Sequence, residues 1–239
     1  MTLRPNGTGG FVLLCDHASN QVPVELNDLG LPPAELARHI AWDIGAAGIT
    51  TELSRIFDAP AILSEASRLV VDCNRHLSAA DLIPKSSDAT TIPGNLNLTE
   101  QARAARIAQW FHPYHAAVES VIETRCAQGQ SPIVVSIHSM TETLAGDARP
   151  WHIALSSHHD RCLADPLLDA LREWKDVKVG DNQPYNLDPD VDFSIPFHAM
   201  RRNLRHLQVE FRQDQIRENE TQISWARRFA GALKIALLG

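Results

Sequence analysis

The chain has 239 residues, 44% hydrophobic and 21% charged, an ordinary globular composition. Its 29 acidic against 22 basic residues leave a net charge of −7, which favours solubility and argues against a polyphosphate partner such as nucleic acid. No apolar stretch approaches the ~18 residues of a membrane span, and residues 1–10 lack the apolar core of a signal peptide. The expectation is a cytoplasmic protein of one domain over residues 1–239, with no nucleic-acid and no membrane partner. Cys15, Cys73, Cys126 and Cys162 are scattered without metal-binding spacing. The first two sit in apolar runs, where a thiol acts as a small hydrophobe.

In chain order, short apolar runs predict strands at 11–15 (FVLLC), 68–72 (RLVVD), 133–137 (IVVSI), 152–156 (HIALS) and 207–211 (LQVEF), with 61–63 (AIL) a weaker sixth. Near-continuous runs, rather than strict alternation, suit a sheet covered on both faces. Helical spacing predicts helices over 35–57, carrying Ile40, Ile44, Ala47, Leu53 and Phe57, and over 99–127, capped by Thr99. Pro113 should kink or split the second, because it removes an intrahelical donor. Residues 163–174 and 223–238 complete the set. Strands alternating with helices predict an α/β fold, a three-layer α/β/α sandwich with a mostly parallel, mixed central sheet. Residues 78–98 and 180–200 lack such regularity. Loops of about 20 residues cover binding sites or are disordered, and Tyr185, Phe193 and Phe197 favour order for the second.

The chemistry follows the strands. FVLLC runs into Asp16 and His17, RLVVD into Asn74 and Arg75, IVVSI into His138, and LQVEF contains Glu210. The carboxyl ends of parallel strands converge on one crevice. Two imidazoles with a nearby carboxylate suit zinc, with one position left for water. Any one strand-end histidine is more often a structural hydrogen-bonder; four polar groups at equivalent strand ends are harder to dismiss. Glu210 inside an apolar strand needs a strong partner. Its bland reading is a pair with Arg212, its functional one a proton carrier. Arg75 is the leading anion clamp, because guanidinium matches carboxylate as a two-pronged donor, and Asn74 can orient the same group. Arg68, Arg201 and Arg202 are secondary clamps, and His198 is a further polar residue from the 180–200 loop. His158 and His159 read as surface.

At these residues the sequence resembles the N-formylglutamate amidohydrolase family. The matching stretches are CDHASNQVP (15–23), HIAWDIGA (39–46), SRLVVDCNR (67–75), SIHSMT (136–141), VGDNQPYNLD (179–188), IPFHAMRR (195–202) and VEFRQD (209–214). More distantly, the order of motifs is similar to zinc carboxypeptidases and aspartoacylase-type deacylases. Their first motif is His-x-x-Glu, whereas Asn20 stands here, so the third metal ligand is open between Asn20, Asp43 and Asp16. The resemblance implies a zinc-exopeptidase-like fold and an amidohydrolase that depends on Zn2+ or another divalent metal at His17 and His138. It further implies N-formyl-L-glutamate as a small-molecule N-acyl amino acid substrate, split to formate and L-glutamate as in histidine degradation. Glu210 and Arg75 are then the catalytic residues. Two alternatives stand beside it: a deacylase or carboxypeptidase-like hydrolase of another N-acyl amino acid, and a catalytically silent anion-binding relative.

Overall fold

A computed structural model describes residues 1–144 and 146–238. Its strands are β1 (Thr2–Leu3), β2 (Phe11–Cys15), β3 (Ala61–Leu63), β4 (Ser86–Ser87), β5 (Thr90–Thr91), β6 (Ile133–Met140), β7 (Thr143–Leu144), β8 (Asp147–Ala148), β9 (Ile153–Ser156), β10 (Val179–Asp181) and β11 (His206–Arg212). The α-helices are α1 (Pro33–Leu36), α2 (Ala46–Phe57), α3 (Glu100–Arg106), α4 (His112–Ala127), α5 (Ala164–Arg172), α6 (Ser194–His198) and α7 (Asn219–Ala236). Seven strands form one sheet in the order β1-β3-β2-β6-β11-β9-β10. Strands β3, β2, β6 and β11 run parallel, β9 runs antiparallel to β11, and β10 is parallel to β9. This is the mostly parallel, mixed sheet expected.

Alternation along each strand assigns the layers. Phe11, Leu13 and Cys15, with Ile133, Val135 and Ile137, pack in one cluster with residues of α2, α5 and α7. Val12, Leu14 and Val134 pack in another with Tyr114, Val118 and Ile122 of α4 and Ile195 of α6. Both faces are therefore covered, and the strands read as unbroken apolar runs. Each fully buried Leu, Ile or Phe contributes about 1.5–3 kcal/mol.

Two local expectations are corrected. Residues 68–70 form a turn and 71–72 are irregular, so this run is not a strand. Leu69 and Val70 bury beside Leu29 and Ile40, and Val71 beside Leu82 and Phe111, so the run is apolar because it fills two local clusters outside the sheet. The weak candidate at 61–63 is the strand that pairs with β2. The helix predicted over 35–57 is divided into α1 and α2. Gly45 caps α2 at φ 84°, and a Cβ there would lie 2.3 Å from the Ile216 carbonyl oxygen. The helix cannot run through such a residue, and the turn so formed directs Asp43 inward. The α-helix over 99–127 is interrupted just ahead of Pro113, as expected. A π-helical turn over Ile107–Phe111 separates α3 from α4, and the His112 N–H donates to the Ile107 carbonyl. The interruption falls where a residue without an N–H donor opens the next helix. Thr99 caps α3 as expected, its Oγ accepting from Ala102 N–H at 3.2 Å.

Under the α4 and α6 layer, two histidines are buried as neutral rings. His115 Nε2 donates to the Cys73 carbonyl at 2.9 Å, so its Nδ1 accepts from His198 Nε2, also at 2.9 Å. His198 Nδ1 is buried without a partner. Burial holds His115 down at about 4 and His198, which also faces His115 and Arg202, down at about 3. In the unfolded chain both titrate near 6.5. Below that pH the unfolded state takes up protons that the folded state refuses, so stability falls as pH drops from 6.5 towards 4. The expected slope is about 1.4 kcal/mol per pH unit for each ring. Urea unfolding between pH 7 and pH 5 should show a shallower fall for His198→Gln than for the wild type. Equal slopes would remove His198 from this account.

Candidate active site

Strands β2, β6 and β11 end at one edge of the sheet. His17 follows β2 by two residues, and His138 of β6 lies beside Glu210 of β11 in the ladder. Asp43 enters from the turn before α2, fixed by its own N–H, which donates to the His17 carbonyl at 2.9 Å. Its Oδ2 lies between the two imidazoles, 3.3 Å from His17 Nδ1 and 2.9 Å from His138 Nδ1. One donor atom from each of His17, Asp43 and His138 falls within 4.8 Å of the others, and all three residues are buried.

The remote ring nitrogens are also held. His17 Nε2 lies 2.7 Å from Asp72 Oδ1, and His138 Nε2 lies 2.9 Å from Ser136 Oγ and 3.3 Å from Asp16 Oδ2. Asp72 is clamped by Arg68 Nε and Nη2, at 3.1 and 2.8 Å, and by the Asn74 N–H at 2.8 Å. Asp16 accepts from Tyr114 OH at 2.8 Å, Ser194 Oγ at 2.5 Å and Ser136 Oγ at 2.9 Å. Carboxylates on the far nitrogens of ligating histidines fix ring orientation and raise ligand basicity.

Charge in this cluster is nearly balanced. Burial alone would lower both imidazoles, and Arg68 adds to that at His17. Asp72 and Asp43 reverse it and hold His17 above its ordinary value; Asp16 and Asp43 hold His138 well above. Burial would raise the three carboxylates, but the imidazoles, with Arg68 at Asp72, keep Asp16, Asp43 and Asp72 below the usual range. One divalent cation can therefore replace the two imidazolium protons without changing the net charge. The set of two imidazole nitrogens and one carboxylate, each further supported, has the donor chemistry to hold a divalent ion. Glu210 differs from all of these. Burial, reinforced by Asp43 against His138, pushes its carboxyl up to about 7.

His17, Asp43, His138 and Glu210 face a cavity of about 360 Å³, within the range of small-molecule sites. Of the predicted residues, His17, Asp43, Arg68, Asn74, Arg75, His138 and Glu210 line it. Arg212 pairs with Asp214 at 2.7 Å, which removes the bland reading of Glu210. Asn20 lies apart from the imidazoles and donates to the Leu36 carbonyl. His198 is buried against His115, Arg201 stacks on Phe197, and Arg202 pairs with Glu119. None of these three reaches the cavity. The Asn74 amide is spent on loop 188–194, donating to Asp192 and accepting from Phe193 and Ser194 N–H. The sequence pattern does not single out Asp72, Tyr185 or Arg149. Asp72 is legible as an acid closing an apolar run, whereas Tyr185 and Arg149, which both line the cavity, carry no signal beyond a loop aromatic and a loop cation.

Comparison with known proteins places this geometry among relatives. A model of the N-formylglutamate amidohydrolase family matches residues 9–217. The crystal structure of a gene product from Agrobacterium tumefaciens is similar with a TM-score of 0.96 and 33% identity, over 100% of this chain and 94% of that one. The N-formylglutamate amidohydrolase from Ralstonia eutropha JMP134 shares the fold with a TM-score of 0.74 and 19% identity, over 97% of this chain and 94% of that one. No curated protein matches the chain. No helix among the described residues is long and apolar enough to cross a membrane.

Proposed function

The chain belongs to the N-formylglutamate amidohydrolase family, hydrolases of an amide C–N bond, and on that premise we propose that it hydrolyses N-formyl-L-glutamate to formate and L-glutamate with a zinc ion at His17, Asp43 and His138. The observation that carries the reading is Glu210: a buried carboxyl in the cavity wall, beside the two-imidazole cluster in the ladder, with its pKa pushed to about 7. A group of that pKa can both take and return a proton near neutral pH.

A divalent ion at this site would polarise the scissile carbonyl and ease deprotonation of the attacking water. The chain's own residues do the rest. Glu210 accepts the water proton as the water oxygen bonds to the formyl carbon, then delivers it to the departing nitrogen as the C–N bond breaks. Arg68 keeps Asp72 on His17, and Asp16 keeps His138 in its ring orientation. Arg75, held by Asp81 at 3.0 Å and by the Asn74 carbonyl at 3.0 Å, borders the cavity. Asp43, between the two imidazoles, supports the metal-holding hydrolase over the silent anion-binding relative. The histidine-degradation role and a cytoplasmic location accompany the substrate reading as part of the same proposal.

Rates on formylglutamate, acetylglutamate, succinylglutamate and formylglutamine test it side by side with zinc-loaded protein. Formylglutamine leaves a guanidinium unpaired, so kcat/KM should fall by about 100-fold or more. Acetylglutamate adds one methyl, worth about 1–3 kcal/mol if it merely fits poorly. Preference for acetyl or succinyl would move the assignment to another deacylase, and no turnover of any substrate would end the hydrolytic reading.

A further inference from the structure

The cavity wall carries several cations, but most are already neutralised. Arg68 faces Asp72 at 2.8 Å and Asp43 at 3.5 Å. Arg75 faces Asp81 at 3.0 Å and Asp192 at 3.8 Å. His39 lies 3.5 Å from Asp88, and burial holds its ring below the ordinary value, so it is not a standing cation. Arg149 is different. It is only 8% exposed, it lines the cavity, and no carboxylate among the described residues lies within ion-pair distance of it. Its Nη2 donates to the Tyr185 hydroxyl at 2.5 Å and its Nη1 to Thr141 Oγ at 3.3 Å, with the guanidinium carbon 4.9 Å from the Tyr185 ring centroid.

A buried guanidinium without a counter-ion is costly unless something completes it. Here the completing partner must come through the cavity. Tyr185 accepts from Arg149 through its oxygen, which leaves the phenolic O–H free to donate. The remaining guanidinium N–H groups and this O–H together form a donor set for one carboxylate. The other guanidinium groups of the wall, Arg68 and Arg75, already face Asp43, Asp72, Asp81 and Asp192, so the unpaired one is what receives such an anion.

We infer that Arg149, with the Tyr185 hydroxyl, is the receptor for a carboxylate of the substrate and so sets the preference for an acidic N-acyl amino acid. This deepens the reading of the cavity as an N-formylglutamate site and rests on it. It also assigns the main anion contact to a residue other than Arg75, whose guanidinium is shared with Asp81 and Asp192.

The test uses the zinc-loaded full chain and glutarate, a dicarboxylate with no amide to cleave. Calorimetry should show glutarate binding about 100-fold weaker in Arg149→Gln, and partly restored in Arg149→Lys. Tyr185→Phe should weaken it about tenfold, and the exposed-surface control Arg172→Gln should leave it unchanged. With formylglutamate, Arg149→Gln should raise KM far more than it lowers kcat, as expected for lost uniform binding. Wild-type affinity and KM in an Arg149→Gln protein with normal thermal unfolding would overturn the inference while leaving the hydrolase assignment intact. A wild type that hydrolyses none of the acyl substrates, yet binds glutarate in an Arg149-dependent way, would support it and overturn the assignment. Failure of the wild type to bind glutarate would also overturn it.

Discussion

Glu210→Gln should retain its metal and its fold but lose about 10²–10⁴-fold in kcat on formylglutamate. The substitution keeps size and shape, so the packing between β6 and β9 is undisturbed. It removes the one function that an amide cannot supply, acceptance and return of a proton. Burial costs should fall as well, since a carboxyl raised to about 7 by desolvation is poorly tolerated as an anion. The variant should therefore unfold at an equal or higher temperature than the wild type while turning over far more slowly. That pairing separates a proton carrier from a structural glutamate. A rate within a few-fold of the wild type would exclude Glu210 from proton transfer. Loss of stability together with activity would return it to a structural role.

Where the sheet is parallel, the ends of apolar runs mark the site. His17, His138 and Glu210 belong to β2, β6 and β11, which all leave the sheet at the same edge, so each was visible as a polar residue ending an apolar run. The same rule is blind to Arg149. Strand β9 is antiparallel to β11, so the chain enters β9 at that edge, and a functional residue there precedes its strand. Periodicity does not report strand direction. The run at 68–72 misled for a related reason, because burial in a local cluster and burial in a sheet leave the same apolar signature. Its ending was nonetheless informative, since Asp72 and Arg68 at its two ends lock His17. Asp43 stood among three candidates for the third ligand, and the choice required the break at Gly45, a backbone feature that amphipathic spacing alone does not display. Arg201 and Arg202 were attractive as a basic cluster. Their charges are instead taken up at the surface, by the Phe197 ring and the Glu119 carboxylate.

The second large effect concerns the metal. Purified protein should carry about one divalent ion per chain, and His17→Ala/His138→Ala should carry essentially none, as read by elemental analysis. Equal content in both would sink the site. Affinity should also depend steeply on pH, with a sign that follows from the cluster. Asp72 and Asp43 raise His17, and Asp16 and Asp43 raise His138 well above its ordinary value. In the metal-free protein both imidazoles therefore keep their protons to higher pH than a free imidazole does, and an ion must displace them to reach the ring nitrogens. Where both are protonated, each unit fall in pH should weaken binding by up to about 100-fold, and each ion bound should release about two protons. Chelator competition at pH 6 and pH 7, with calorimetry in two buffers of different ionisation enthalpy, measures both quantities. Asp43→Asn keeps the shape but takes away a charge that holds these protons and would hold the ion. It should lower affinity at pH 7 and flatten the pH dependence together. Binding that is insensitive to pH, or an Asp43→Asn protein with wild-type affinity, would remove Asp43 and the imidazole pair as the metal-holding set.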